Sequence, residues 1–130
     1  MAFFSIWTYA MSYKFSESLK KNYDFQQVYR KGKSFANKYL VMYVLENNMD
    51  KNRLGISVSK KVGNSVVRHR ITRLIRESYR LHENIFNSGL DIVVIARKNA
   101  SAISYREAES ALLHLAKFVC PPKRADNNNS

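Results

Sequence analysis

The chain has 130 residues, 45% of them hydrophobic and 12% aromatic, enough to bury one core and too few for two independent domains. Its 22 Lys and Arg against 10 Asp and Glu give a formal net charge of +12, which points to nucleic acid or an anionic membrane surface as partner. The single cysteine, Cys120, excludes a disulfide within the chain and suits a reducing cytosol, and no apolar stretch is long enough to span a bilayer.

The opening Met1 to Ala10 is apolar, yet no basic residue precedes its apolar run and no small-residue cleavage site follows it, so it does not read as a secretory signal. Residues 1–12 are expected to be a disordered extension, residues 13–120 the folded domain, and residues 121–130, opening with Pro121-Pro122, a disordered tail. Asn22 can cap a short helix through Tyr23, Phe25, Val28 and Tyr29, with Gly32 as its stop. Phe25, Val28 and Tyr29 then share one face. Ser34 to Leu45 is β-prone, with Phe35, Tyr39, Val41 and Tyr43 on one parity and Ala36, Leu40, Met42 and Val44 on the other. That region reads as strand covered on both sides, in one piece or two. Asn47 to Asn52 is a polar turn. Arg53 to Ser59 then alternates strictly, placing Leu54, Ile56 and Val58 inward and leaving a small-residue face of Gly55, Ser57 and Ser59 against which something can lie.

After the loop Lys60 to Asn64, a helix-length stretch from Ser65 to His82 carries two chemistries, and Asn64 or Ser65 can cap it. At roughly 100° per residue, Val67, Ile71, Leu74, Ile75 and Leu81 gather on one third of the circumference and His69, Arg70, Arg73, Arg76 and Arg80 on the opposite third. Docking the apolar side on a core aims the guanidinium groups at solvent, where each planar fork can bond two phosphate oxygens. A merely solvated face mixes signs. Between Lys60 and Arg80, seven basic residues (Lys60, Lys61, Arg68, Arg70, Arg73, Arg76, Arg80) face the single acid Glu77. Asn87, Ser88 and Gly89 form a turn into Leu90 to Ala96, apolar on both parities and therefore a central strand. Ser104 and Glu107 form a capping box for a last helix with Ala108, Ala111, Leu112, Leu115 and Val119 buried. The order helix, strand, strand, helix, strand, helix predicts a single-domain α+β two-layer sandwich with helices on a small sheet of about four strands.

The residues favour binding over cutting. Asp24, Asp50 and Asp91 fall on different elements, so no carboxylate cluster for a metal-dependent nuclease is expected, and His69, His82 and His114 are too scattered for a zinc site. His69, between two arginines, is the one candidate general acid and lacks an evident partner. Phe25, Tyr29 and Tyr43 are either core or a platform on which unpaired bases stack, and spacing alone does not separate the two.

The blocks DFQQVYRKGKSFANKYLVMYVL, LGISVSKKVGNSVVRHRITRLIRESYR and IVVIARKNAS, in this order, resemble the protein subunit of bacterial ribonuclease P. The family's Arg-Asn-Arg signature is met here as Arg68-His69-Arg70, and Thr72 stands where lysine is common. The resemblance implies a ribosomal protein S5 domain 2-like fold with a left-handed βαβ crossover around the arginine helix. It also implies an accessory role: a catalytic RNA, its Mg2+ held mainly by RNA, removes the 5′ leader of precursor tRNA in the cytoplasm. No catalytic or metal-binding residue is then expected in the protein. Lys60, Lys61, Asn64, Arg68, His69, Arg70, Arg73, Arg76 and Arg80 would face RNA, and Phe25, Tyr29 and Tyr43 the single-stranded leader. The competing expectations are a ribosomal-type RNA-binding protein with no enzymatic partner and a protein-only nuclease built on His69.

Overall fold

The computed structural model describes residues 16–86 and 89–119, so the expectations for residues 1–12 and 121–130, and the Asn87-Ser88 part of one turn, lie outside the described residues. The elements run β1 (Ser16–Ser18), α1 (Asn22–Lys31), β2 (Lys33–Ala36), β3 (Leu40–Glu46), β4 (Asn52–Ser57), α2 (Ser65–Leu81), β5 (Leu90–Ala96) and α3 (Tyr105–Val119). Short 3-10 turns at Glu83–Ile85 and Lys98–Ala102 follow α2 and β5. All the elements expected from periodicity are present. β1 is an addition and makes the sheet five-stranded, in the order β1-β4-β5-β3-β2.

β4 and β5 are parallel neighbours joined through α2, the strand-helix-strand crossover that the resemblance implies. β3 runs antiparallel to β5 and to β2, and β1 pairs parallel with β4. β5 sits at the centre of the sheet because it is apolar on both faces: Ile92 and Val94 point to one side, Val93 to the other, and all three are fully buried. The main core lies on the Ile92 side, where α2 and α3 pack through Ile71, Ile75, Tyr79, Leu112 and Leu115 against Leu40, Met42 and Leu54. On the other side α1 packs alone, with Val28 against Leu19 and Val93.

The Ser34–Leu45 region resolves into two strands because Asn37 makes a turn there. Its Oδ1 accepts from the N–H of Tyr39 at 3.1 Å and of Leu40 at 2.9 Å, and its Nδ2 donates to the Ala111 carbonyl at 3.0 Å. The turn shifts the parity. Phe35 pairs with Met42 and joins the main core, as does Tyr39, so neither shares a face with Tyr43 as continuous alternation predicts. In α2, the expected stripe holds at Ile71 and Ile75, with Val67 and Leu74 partly buried, but Leu81 is 51% exposed and Tyr79 takes the buried place. Leu81 is about 120° round the helix from Ile75, whereas Tyr79, at i+4, is only about 40° from it.

The ends of the helices follow local chemistry. Ser104 Oγ accepts from the Glu107 N–H at 3.1 Å and Glu107 Oε1 accepts from the Ser104 N–H at 3.0 Å, the reciprocal capping box. α1 departs from expectation: Asn22 is its first helical residue, and Lys21 at the cap position makes no side-chain capping bond. Gly32 ends α1 at an ordinary φ of −81°, and its missing side chain is explained by space. A Cβ there would stand 2.6 Å from the Val28 carbonyl oxygen and 2.7 Å from that of Val44.

Candidate nucleic-acid interface

The N-terminal end of α2 gathers most of the predicted cations. Lys60 and Lys61 are exposed on a loop anchored by buried Val62, and no carboxylate stands in the first turn of the helix. The bare positive end of the helix dipole therefore adds to the lysines. Asn64 caps the helix, its Oδ1 accepting from the Val67 N–H at 3.0 Å, so this oxygen is committed to structure. Arg68 is held back against the loop, Nε donating to the Gly63 carbonyl at 3.2 Å. His69 is exposed between the two arginines. Thr72 Oγ1 donates to the Arg68 carbonyl at 2.9 Å, a back-bond that costs the cationic face nothing.

The guanidinium row is less uniform than an outward-facing stripe predicts. Arg70 reaches the segment before α3, donating to the carbonyls of Ile103 at 2.8 Å and Ser101 at 3.5 Å. It keeps its charge and its exposure while splinting two elements. Arg80 is engaged with Glu77 by two bonds, at 2.6 and 3.1 Å, a pair that raises its already high pKa and largely cancels its field. The structure thus brings Lys60, Lys61, Arg68, His69 and Arg70 to one end of α2 and sets Arg73 and Arg76 along its middle. It leaves Arg80 apart, about 18 Å from Arg68 along the helix. The Arg80 pairing was legible as an i,i+3 spacing of opposite charges.

The aromatic residues meet on the α1 side of the sheet. The Phe25 and Tyr29 ring centroids are 6.4 Å apart, and Tyr29 meets Tyr43 edge-on at 5.2 Å and 77°. All three are half-buried, inner edges on Leu19, Val28 and Val93. They are core on one edge and accessible on the other. The small-residue face of β4 is partly filled by the chain itself, since a Cβ on Gly55 would lie 2.5 Å from Cζ of Phe25. Beyond α1, the cross-strand row Val41, Ile95 and Ser57 remains half-exposed, a floor beside the aromatic cluster.

Among the described residues no group of three or more His, Cys, Asp and Glu is arranged to hold a metal ion. His82 bonds Glu109 at 2.6 Å, tying the end of α2 to α3, and His114 bonds Asn37 at 3.2 Å while packing edge-on against Phe118. Asp24 and Asp91, from different elements, do come together, but around the guanidinium of Arg53. Nothing in their sequence spacing signals this.

Comparison with known proteins is uniform. The family model described as Ribonuclease P matches residues 14–119. The ribonuclease P protein component of Lachnoclostridium phytofermentans is 69% identical over 79% of this chain and 89% of its own length, and that of Alkaliphilus metalliredigens 56% identical over 78% and 92%. Among solved structures, the ribonuclease P protein of Staphylococcus aureus superposes with a TM-score of 0.74 at 43% identity, covering 79% of this chain and 96% of that one. The Thermotoga maritima protein gives 0.74 at 36% identity over 79% and 97%. The cationic helix, the crossover sheet and the relatives agree: the chain belongs to the ribonuclease P protein family and is an accessory protein subunit of that ribonucleoprotein endoribonuclease, which acts in tRNA processing.

Proposed function

We propose that this subunit grips two parts of one RNA assembly with two separate surfaces. The end of α2 with its loop, Lys60, Lys61, Asn64, Arg68, His69 and Arg70, together with Arg73, Arg76 and the paired Arg80, faces the catalytic RNA. The cleft of Phe25, Tyr29 and Tyr43 receives the single-stranded 5′ leader of precursor tRNA. The observation that carries this reading is the adjacency of a half-exposed strand floor, Val41, Ile95 and Ser57, to half-buried aromatic rings. A fully dry core has no use for that open edge, whereas unpaired bases stack on it and their phosphates are drawn by the surrounding positive charge.

Hydrolysis belongs to the RNA in this reading. Mg2+ is then held mainly by the RNA as well. The protein instead screens phosphate repulsion, which lowers the magnesium concentration the assembly needs. The working compartment is the cytoplasm, where precursor tRNA is made.

Reconstitution with a cognate catalytic RNA tests the proposal. Cleavage at the mature 5′ end should be restored at low magnesium by adding the protein, and binding should be tighter for leader-bearing precursor than for leaderless tRNA. Equal enhancement of both substrates would remove the leader from the account.

A further inference from the structure

A polar network lies beneath the first turn of α1, apart from the surfaces described above. Arg53 on β4 donates from Nε to Oδ1 of Asp91 at 2.8 Å and from Nη2 to Oδ2 at 2.6 Å, a bidentate fork. Asp91 is 4% exposed, and Asn47 Nδ2 donates to the same Oδ1 at 2.8 Å, so both partners of the fork are fixed. The remaining arm, Nη1, reaches Oδ2 of Asp24 at 3.4 Å, in the first turn of α1. That is the turn with no capping side chain.

The geometry repeats on both elements. Along this face of β4 come Arg53, Gly55 and Ser57, each roughly 7 Å from the next. Arg53 holds Asp24; Gly55 receives the ring of the adjacent residue, Phe25; Ser57 lies in the open floor. Tether and seat are therefore neighbours on the helix as on the strand. An arm locked by the Asp91 fork sets where α1 starts, and one residue later the ring comes down on the only position of β4 with no side chain to lift it.

Resting on the leader-cleft reading above, we propose that Arg53 is a positioning residue for single-stranded RNA: through Asp24 it fixes the height of α1 over the sheet and so the spacing between Phe25, Tyr29, Tyr43 and the floor. It touches no RNA itself. The Arg53–Asp24 contact is long, at 3.4 Å, and Arg53 keeps its bidentate fork to Asp91 without it, so its loss should appear in binding more than in melting.

Asp24→Asn tests this in the reconstituted holoenzyme, because it removes the charge on α1 and leaves the Arg53–Asp91 fork intact. Affinity for leader-bearing precursor should fall roughly three- to ten-fold, affinity for leaderless tRNA should hold, Tm should stay near wild type, and Asp24→Glu should recover the loss. Tyr43→Leu runs in parallel. If Tyr43→Leu loses leader affinity selectively and Asp24→Asn does not, or loses both substrates equally, the positioning role is wrong while the cleft stands. If Tyr43→Leu shows no leader selectivity, the cleft reading fails and takes this inference with it.

Discussion

The two faces of the sheet are built to opposite specifications. On one, α2 and α3 bury Ile71, Ile75, Tyr79, Ile92, Val94, Leu112 and Leu115 so fully that none exceeds 1% exposure. On the other, α1 covers only part of the strands, and the aromatic residues beside it are half-buried. Stability is concentrated where water is excluded, and the proposed leader cleft lies where it is not. α2 belongs to both halves of this division, because its buried stripe is what holds its cations in fixed places.

The contrast is sharpest under substitution of the closed face. Ile75→Ala should destabilise the protein by about 2–5 kcal/mol, read as a fall in Tm, while the fraction that remains folded keeps the salt dependence of wild type. Replacing Lys60 and Lys61, both exposed, together by alanine should do the reverse. RNA affinity should drop roughly ten-fold or more and the log-log salt slope shrink by about one unit for each phosphate no longer neutralised, with little change in melting. An unaltered slope would reduce this face to a solubility device. On the open face, Tyr43→Leu keeps apolar bulk and removes stacking, so leader-bearing precursor should lose about 1–3 kcal/mol of binding and leaderless tRNA none.

The smallest effect is electrostatic and lies far from the cleft. Hydrogen bonds from the Ser104 N–H and the Tyr39 hydroxyl hold the Glu107 carboxyl below the ordinary carboxylate range. A depressed folded-state value means that the stabilisation is fully present above the unfolded carboxylate value and disappears as pH falls through the lower, folded one. Glu107→Gln should therefore melt slightly lower than wild type at neutral pH, and the two curves should converge in acid. A gap that persists at low pH would assign the box to its neutral hydrogen bonds alone.

Much of this architecture was legible because it is periodic. β5 announced itself by apolar residues on both parities, α3 by its capping box, and α2 by the opposition of isoleucine and arginine faces. What stayed hidden depends on partners distant in sequence. Ser16–Ser18 has neither alternation nor β-prone residues and becomes a strand only because Asn52–Leu54 offers it an edge. The Asn37 turn reversed the parity of Phe35, and local pattern carries no record of where a strand folds back. At the interface, the cations were readable as a set but not by role: the bond from Arg70 to the Ile103 carbonyl needs the two elements to have met already. The small face of β4 signalled vacant space correctly, without revealing that Phe25 would fill part of it.

The central position of β5 has a consequence for the order of events at the ribosome. Residues 65–81 emerge before the strand at 90–96 and the helix at 105–119 that shelter their apolar side. Most of a helix's stability in a protein comes from packing its apolar face, so the arginine segment is held in place only once nearly the whole polypeptide has been made. The proposed RNA-facing surface is thus assembled late, after the hairpin of β2 and β3 has had time to form.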